Sequence, residues 1–378
     1  MRFLFIFLFT ITLVSCGNKA QQNKEKVEVV DSLTDAIHIT NATCFDVQQI
    51  NPLIRLVHIK DPDKDSTQVY RLALVKEGAE ESLIPQGYDI IRVPIKTAVC
   101  MTTFQLSSFI RLNALEHVSG ITSTRYLFNE EVKQRLKDGR MVQIGIEGEF
   151  DSEVVIAANP DLILISPSKR GGYEALKEAH IPLIPHLGYK EMTPLGQAEW
   201  IKFVGLLIGK EKEATDIFHD VAKRYNEVKA LVANVKHKPT VFSSDFRGGN
   251  CYVAGGKSYL AQLFNDAGAT YFLQDDDRTS GFVMEFETLY AKAANVDYWR
   301  ILNSYKGDFT YDVLKSLEQR YTDFSAFKNK KVIYCNMSLT PYYEHMAMQP
   351  EMILSDFVKI FHPEVLPNHQ PVFYHLLQ

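Results

Sequence analysis

Two loops carry charged side chains suited to gripping a ligand. Ser166-Pro167-Ser168-Lys169-Arg170-Gly171-Gly172 follows the apolar run Leu162–Ile165, and Asp245-Phe246-Arg247-Gly248-Gly249 follows a strand expected to end at Ser243. In open α/β sheets, ligands bind beyond the carboxyl ends of the strands. Lys169, Arg170 and Arg247 together offer charge-assisted donors to an anion. Other chemistries lack their signatures. Gly255-Gly256-Lys257-Ser258 resembles the end of a P-loop, but the glycine required five positions before Gly256 is Cys251, so a tight turn into a helix explains the glycines. The eleven histidines form no HxH or HExxH pair, which argues against a zinc hydrolase. No GxSxG elbow and no assignable carboxylate pair is present, and Asp275-Asp276-Asp277 reads as a solvated loop, with a calcium site as the lesser alternative.

Two series of alternating strands and helices position these loops. In the first, strands are expected at 95–101, 118–121, 141–145, 162–165 and 181–185, and helices at 106–115, 130–137, 153–158 and 173–180. Thr102-Thr103 precede the first helix, and one hydroxyl can cap it. In the second, strands are expected at 240–243, 251–253, 298–302 and 331–335, with helices at 258–267, 287–294 and 352–361. This alternation implies open parallel sheets. Ala157-Ala158-Asn159-Pro160-Asp161 is answered by Ala293-Ala294-Asn295-Val296-Asp297, a faint internal repeat that points to two related lobes.

A long amphipathic helix over 211–236 separates the series. Its stripe is Ala214, Ile217, Phe218, Val221, Tyr225, Val228, Leu231 and Val232, and Pro239 ends it. About 25 residues span roughly 37 Å, the width of a small domain. Before the first series, 54–59 and 68–75 alternate around the turn-rich 61–66, as a β-hairpin with a long loop does.

A net charge of −5 argues against nucleic acid as the main partner. Arg2, the apolar run Phe3–Val14 and Ser15-Cys16-Gly17 resemble a bacterial lipoprotein signal peptide. The resemblance implies cleavage before Cys16, its lipidation, and a soluble domain anchored to a bacterial membrane outside the cytoplasm. Cys44, Cys100, Cys251 and Cys335 form no CxxC pair and are expected to be mostly buried free thiols. The expected organisation is signal peptide 1–16, tether 17–30, β extension 31–89, first lobe 90–195, helical linker 196–238 and second lobe 239–378.

Several stretches carry a family resemblance. His117-Val118-Ser119-Gly120-Ile121-Thr122, Asn159-Pro160-Asp161-Leu162-Ile163-Leu164, Ala179-His180-Ile181-Pro182-Leu183-Ile184, Leu206-Leu207-Ile208-Gly209-Lys210-Glu211 and Tyr252–Leu260 resemble the substrate-binding proteins of ABC importers for iron–siderophores, haem and cobalamin. The tail from Asp356 looks closest to members from Bacteroidetes-like lineages. The implied fold is α/β: two Rossmann-like βα lobes joined by one long helix, here with an N-terminal β-hairpin extension. The implied function is capture of a metal chelate between the lobes and delivery to a permease and its ATPase, with no enzymatic activity, no permanent cofactor and a monomeric state. The site residues implied are Thr102, Thr103, Tyr126, Glu147, Lys169 and Arg170 in lobe one, and Arg247, Tyr252, Phe282 and Tyr342 in lobe two. Glu147 stands about where a cobalamin-binding relative would place an aromatic, so the basic residues favour a ferric siderophore, or haem with tyrosine as iron ligand. Glu153 and Glu287 are the implied permease-docking carboxylates, with Glu285 competing for the second role. The alternatives are a metal-ion receptor of the same architecture using His186, His345 or His362, and a surface lipoprotein or enzyme without a permease.

Overall fold

The computed structural model describes residues 37–378 apart from 65–67, 123, 147–148, 168–172, 174–175, 178–179 and 248–249. Cys16, the tether, Glu147, Lys169 and Arg170 lie outside the described residues, and Arg247 is described by its backbone alone.

The chain opens with a four-stranded sheet, β1 (Phe45–Asn51), β2 (Ile54–Lys60), β3 (Val69–Val75) and β4 (Asp89–Arg92). The expected hairpin is β2–β3; β1 pairs antiparallel with β2, and β4 pairs parallel with β3. The period-2 alternation places Val57, Ile59, Leu72, Leu74 and Ile91 in the first-lobe core. The opposite face, Ile54, Leu56, Ala73 and Val75, is covered by Ala79, Ile84 and Tyr88.

The first lobe contains β5 (Ala98–Cys100), β6 (Val118–Ile121), β7 (Val142–Gln143), the ribbon β8 (Gly145–Ile146) and β9 (Glu149–Phe150), β10 (Leu162–Ile165) and β11 (Leu183–Pro185). Its sheet is parallel throughout, in the order β11-β10-β5-β6-β7. The second lobe contains β12 (Thr240–Arg247), β13 (Asn250–Ala254), β14 (Thr270–Tyr271), β15 (Gly281–Met284), β16 (Tyr298–Asn303), β17 (Val332–Asn336) and β18 (His375–Leu376). Here β14 and β16 pair parallel with β12, and β17 pairs parallel with β16; β12 runs on into an antiparallel sheet with β13 and β15. The brief strand β18 and helix Tyr311–Leu317 carried no periodic signal long enough to find in the sequence.

The internal repeat has a structural counterpart. Asp161, just before β10, accepts from the backbone N–H groups of Lys96 and Thr97 at 2.6 and 2.9 Å, just before β5. Asp297, just before β16, accepts from the backbone N–H and hydroxyl of Thr240 at the start of β12, both at 2.8 Å. Each aspartate ties the foot of one central strand to its parallel neighbour.

Between the lobes run two helices. Pro194–Ile208 is buried on nearly every face, and Thr193 caps it by accepting from the N–H of Gly196. A Cβ on Gly205 would lie 2.5 Å from that of Ala214, so this glycine allows the next helix to cross closely. That helix is Glu211–Leu231, five residues shorter than the sequence suggested. Burial of Val232 in the second-lobe core turns the chain before Pro239 is reached. The stripe divides cleanly. Ala214, Phe218 and Val221 belong to the first-lobe core, whereas Tyr225 and Val232 belong to the second.

A second crossing was not foreseen. After β17 the short helix Tyr342–His345 leads to Ala347 and Met348, which are buried in the first-lobe core. The chain then returns through the helix Pro350–Phe361 to the second lobe. There Asp356, fully buried, accepts from His369 and from the N–H groups of Val372, Phe373 and Tyr374, which pins the C-terminal tail.

Candidate ligand cleft between the lobes

The ends of β5 and β10 are built around one glutamine. Thr102 and Gln105 form a capping box: the Thr102 hydroxyl accepts from the Gln105 N–H at 3.3 Å, and Gln105 Oε1 accepts from the Thr102 N–H at 3.2 Å. Gln105 Oε1 also accepts from the Met101 N–H at 2.7 Å, and its Nε2 donates to the Ser166 hydroxyl at 3.2 Å. The loops after the two strands are thereby fixed to each other. Thr102, Thr103 and Ser166 then line a cavity of about 390 Å³ together with Phe104, Tyr343 and Met346. Burial beside Tyr342 pushes the Tyr343 phenol up to about 12, so it is a hydrogen-bond donor at neutral pH.

A second cavity, of about 400 Å³, lies beyond the ends of β12, β16 and β17. Ser244, Asp245, Asn303 and Ser304 supply its polar wall, and Arg125 and Tyr126 reach it from the first lobe. The Ser304 hydroxyl is 3.1 Å from Arg125 Nη2 and 3.3 Å from the Tyr126 hydroxyl, so the lobes touch at this rim. Tyr126 and Tyr343 face each other across the lobes with ring centroids 5.7 Å apart. Ser244 Oγ in the second-lobe cavity and Gln197 Oε1 in the other are buried without a hydrogen-bond partner among the described residues. Such atoms await a partner.

The structure thus brings Thr102, Thr103 and Tyr126 to the cleft and leaves other expected residues elsewhere. Tyr342 is 4% exposed and packs on Phe373 and Tyr374 in the second-lobe core; its neighbour Tyr343 lines the cavity instead. Tyr252 and Phe282 line neither cavity. Tyr252 pairs with Val283, and Phe282 pairs with Val253, so strand alternation points the two rings to opposite faces. Phe282 lies under the Arg278 guanidinium, 3.7 Å from its ring centroid. Arg247 is opposite Asn250 at the end of the β12–β13 ladder. Ser166 and Asp245 open the two loops singled out by the strand-end rule, but Arg125, Tyr343, Asn303 and Ser304 had no distinguishing local signal.

The three histidines considered for a metal site are apart. His186 is caged by Phe104, Trp200 and Phe203; His362 contacts the carbonyl of Gly268; His345 lies beside Phe373. Among the described residues no three His, Cys, Asp or Glu side chains are grouped to hold a metal ion. The Gly255-Gly256 turn owes its glycines to close packing: a Cβ at Gly256 would fall 2.0 Å from the carbonyl oxygen of Leu273 and 2.3 Å from that of Asp276. Cys44, Cys100, Cys251 and Cys335 are buried and free, and burial pushes the Cys44 thiol up to about 12 and those of Cys251 and Cys335 to about 11.

Glu153 and Glu287 occupy matching positions. Each is the second residue of its helix, Ser152–Ala157 and Phe286–Ala293, and each is exposed. The longer second helix accounts for the two extra residues before Asp297. Glu287 contacts Arg320 at 3.1 Å, while Arg320 also bonds Glu318. Glu285 is the residue preceding that helix and makes no side-chain cap.

Two lobes with a cleft at the carboxyl ends of their strands can enclose a small molecule. Residues 99–339 match the family model described as periplasmic binding protein. The chain belongs to that family. This periplasmic binding protein is 27% identical over 316 residues to an uncharacterized lipoprotein of Methanocaldococcus jannaschii, covering 81% of this chain and 79% of the relative. A periplasmic heme binding protein from Pseudomonas aeruginosa shares the fold with a TM-score of 0.57 at 18% identity, covering 74% of this chain and 96% of that one. An ABC-type Fe3+-hydroxamate transport protein from Saccharomonospora viridis does so with a TM-score of 0.55 at 19% identity, covering 71% and 94%. The family is one of binding proteins, and no helix among the described residues is long and apolar enough to cross a membrane.

Proposed function

We propose that this periplasmic binding protein is the substrate-binding lipoprotein of an ABC importer and carries a ferric siderophore, with haem or cobalamin as alternative cargo. The carrying observation is the cleft, where side chains of both lobes converge beyond the carboxyl ends of their strands. Thr102, Thr103 and Tyr126 are its ligand-facing residues in lobe one, and Lys169, Arg170 and Glu147 stay candidates on the family resemblance alone. Tyr343 takes the place first given to Tyr342, and Arg247 remains a candidate on lobe two. The named activities of the haem and hydroxamate proteins that share the fold support an iron chelate as cargo. Cys16 is the lipid attachment point, and the M. jannaschii relative's description as a lipoprotein supports an anchor. The protein acts as a monomer, without enzymatic activity and without a permanent cofactor.

Spectral titration with a ferric hydroxamate, haemin and cobalamin tests the cargo. Saturable one-to-one binding of the ferric hydroxamate is expected, and binding of none of the three would refute the proposal. For docking, the double variant Glu153→Arg, Glu287→Arg is expected to abolish uptake of the bound chelate in cells while leaving its affinity within about twofold. Loss of affinity would remove the docking role from these residues. Because Glu287 already shares Arg320 with Glu318, a docking arginine must compete for it.

A further inference from the structure

The cleft is not one chamber. Its second-lobe cavity sets Arg125, Ser244, Asp245, Asn303 and Ser304 among a lining whose remainder is mostly apolar or aromatic, which makes it the more polar of the two. The cavity at Thr102 and Thr103 is mostly apolar, walled by Phe104, Tyr189, Tyr343 and Met346. Tyr126 lines only the first and Tyr343 only the second, and their rings meet across the lobes at 5.7 Å. The aromatic pair forms a waist between two chambers of nearly equal size, about 400 and 390 Å³.

We infer that the two chambers take the two ends of a single amphipathic chelate: its oxygen-rich iron-binding end in the polar chamber, and an apolar alkyl or aryl arm in the other. The inference rests on the chelate-binding role proposed above. The polar chamber matches a chelate end in three respects. It has the Arg125 guanidinium, in the same lining as the Asp245 carboxylate, for negative oxygen, amide and hydroxyl groups for further oxygens, and in Ser244 Oγ a buried hydroxyl lacking a partner among the described residues. The apolar chamber offers no charged group among its described lining residues. A wholly polar chelate would leave it filled with poorly bonded water, whereas an apolar arm removes hydrocarbon from water on both sides. A flat, rigid ligand would have to part Tyr126 from Tyr343, while a flexible one threads between or around the rings.

The test compares two probes by quenching of intrinsic fluorescence: a ferric linear trihydroxamate, and the same chelate bearing a hexanoyl arm. The acylated probe is expected to bind at least about tenfold more tightly, an increment that burial of about two methylenes supplies. Met346→Lys, and independently Thr103→Phe, which fills the same chamber from the other lobe, should erase that tenfold difference. Equal affinity of the two probes for the wild-type protein overturns the two-chamber inference while leaving the chelate-binding role standing. An acyl advantage that survives both variants also overturns it. If neither probe binds, the cargo assignment fails and this inference falls with it.

Discussion

Replacing Glu199 with alanine is expected to cost about 3–5 kcal/mol and to release the N-terminal sheet from the first lobe. Glu199 is fully buried in the helix Pro194–Ile208. Its carboxylate accepts from three consecutive backbone N–H groups, of Thr40, Asn41 and Ala42, at 3.0, 2.6 and 2.8 Å, and from Lys202 Nζ at 2.7 Å. Glu191 continues the grip by accepting from the N–H groups of Thr43 and Cys44 and from the Trp200 indole. Truncation at Glu199 therefore orphans three amides and leaves the buried Lys202 ammonium with the His38 carbonyl but no counter-charge. The midpoint of urea unfolding should fall, and amides 40–44 should lose exchange protection before the rest of the sheet. An unchanged midpoint would mean that this cluster contributes nothing net.

Acid should weaken the same region. Burial alone would raise the Glu199 pKa, but Lys202 and the N–H groups of Ala42 and Asn41 outweigh it and hold the carboxyl below its ordinary 4.5. Its contribution is complete above the unfolded value and is lost as pH falls through the folded one. His186 adds an earlier loss: burial lowers its pKa from the ordinary 6.5 to about 3. The unfolded chain takes up a proton there that the folded chain refuses, so stability falls on acidification through that window, by up to about 1.4 kcal/mol per pH unit. His186→Phe should flatten the slope from pH 6.5 down to about 3, and the loss that remains below about 4.5 should include that of Glu199.

The second large effect concerns the lobes' relative freedom. Glu344, 4% exposed on the second-lobe segment, accepts from the first-lobe N–H groups of Phe128 and Asn129 at 2.6 and 3.0 Å. Each bond to a charged group contributes about 1.5–3 kcal/mol. Together with the continuous helix Glu211–Leu231 and the burial of Met348 in the first lobe, this latch opposes a wide hinge. Small-angle scattering of free and chelate-loaded protein should therefore differ little. Glu344→Ala should enlarge the free protein measurably, and the ligand should restore the compact form. A large compaction of the wild-type protein on loading would contradict the latch.

The α/β alternation was legible because buried parallel strands such as Leu162–Ile165 read as unbroken apolar runs and because caps such as Thr102 and Ser258 announce their helices. The spanning stripe was legible for the same periodic reason. The choice between Tyr342 and Tyr343 was not, since adjacent helical residues diverge by about 100° and only tertiary packing says which faces the cleft. Tyr252 and Phe282 came from the family resemblance, although their faces depend on a register the sequence does not print. The return of Ala347 and Met348 to the first lobe was invisible because two apolar residues fit either core.

That return sets an order of events during synthesis. The first lobe begins at the amino end, yet two of its core residues emerge from the ribosome only near the carboxyl end. A nascent chain halted after the long helix carries a first lobe with an unfilled hollow where Ala347 and Met348 belong. The leading lobe therefore completes its core only when nearly the whole polypeptide is made.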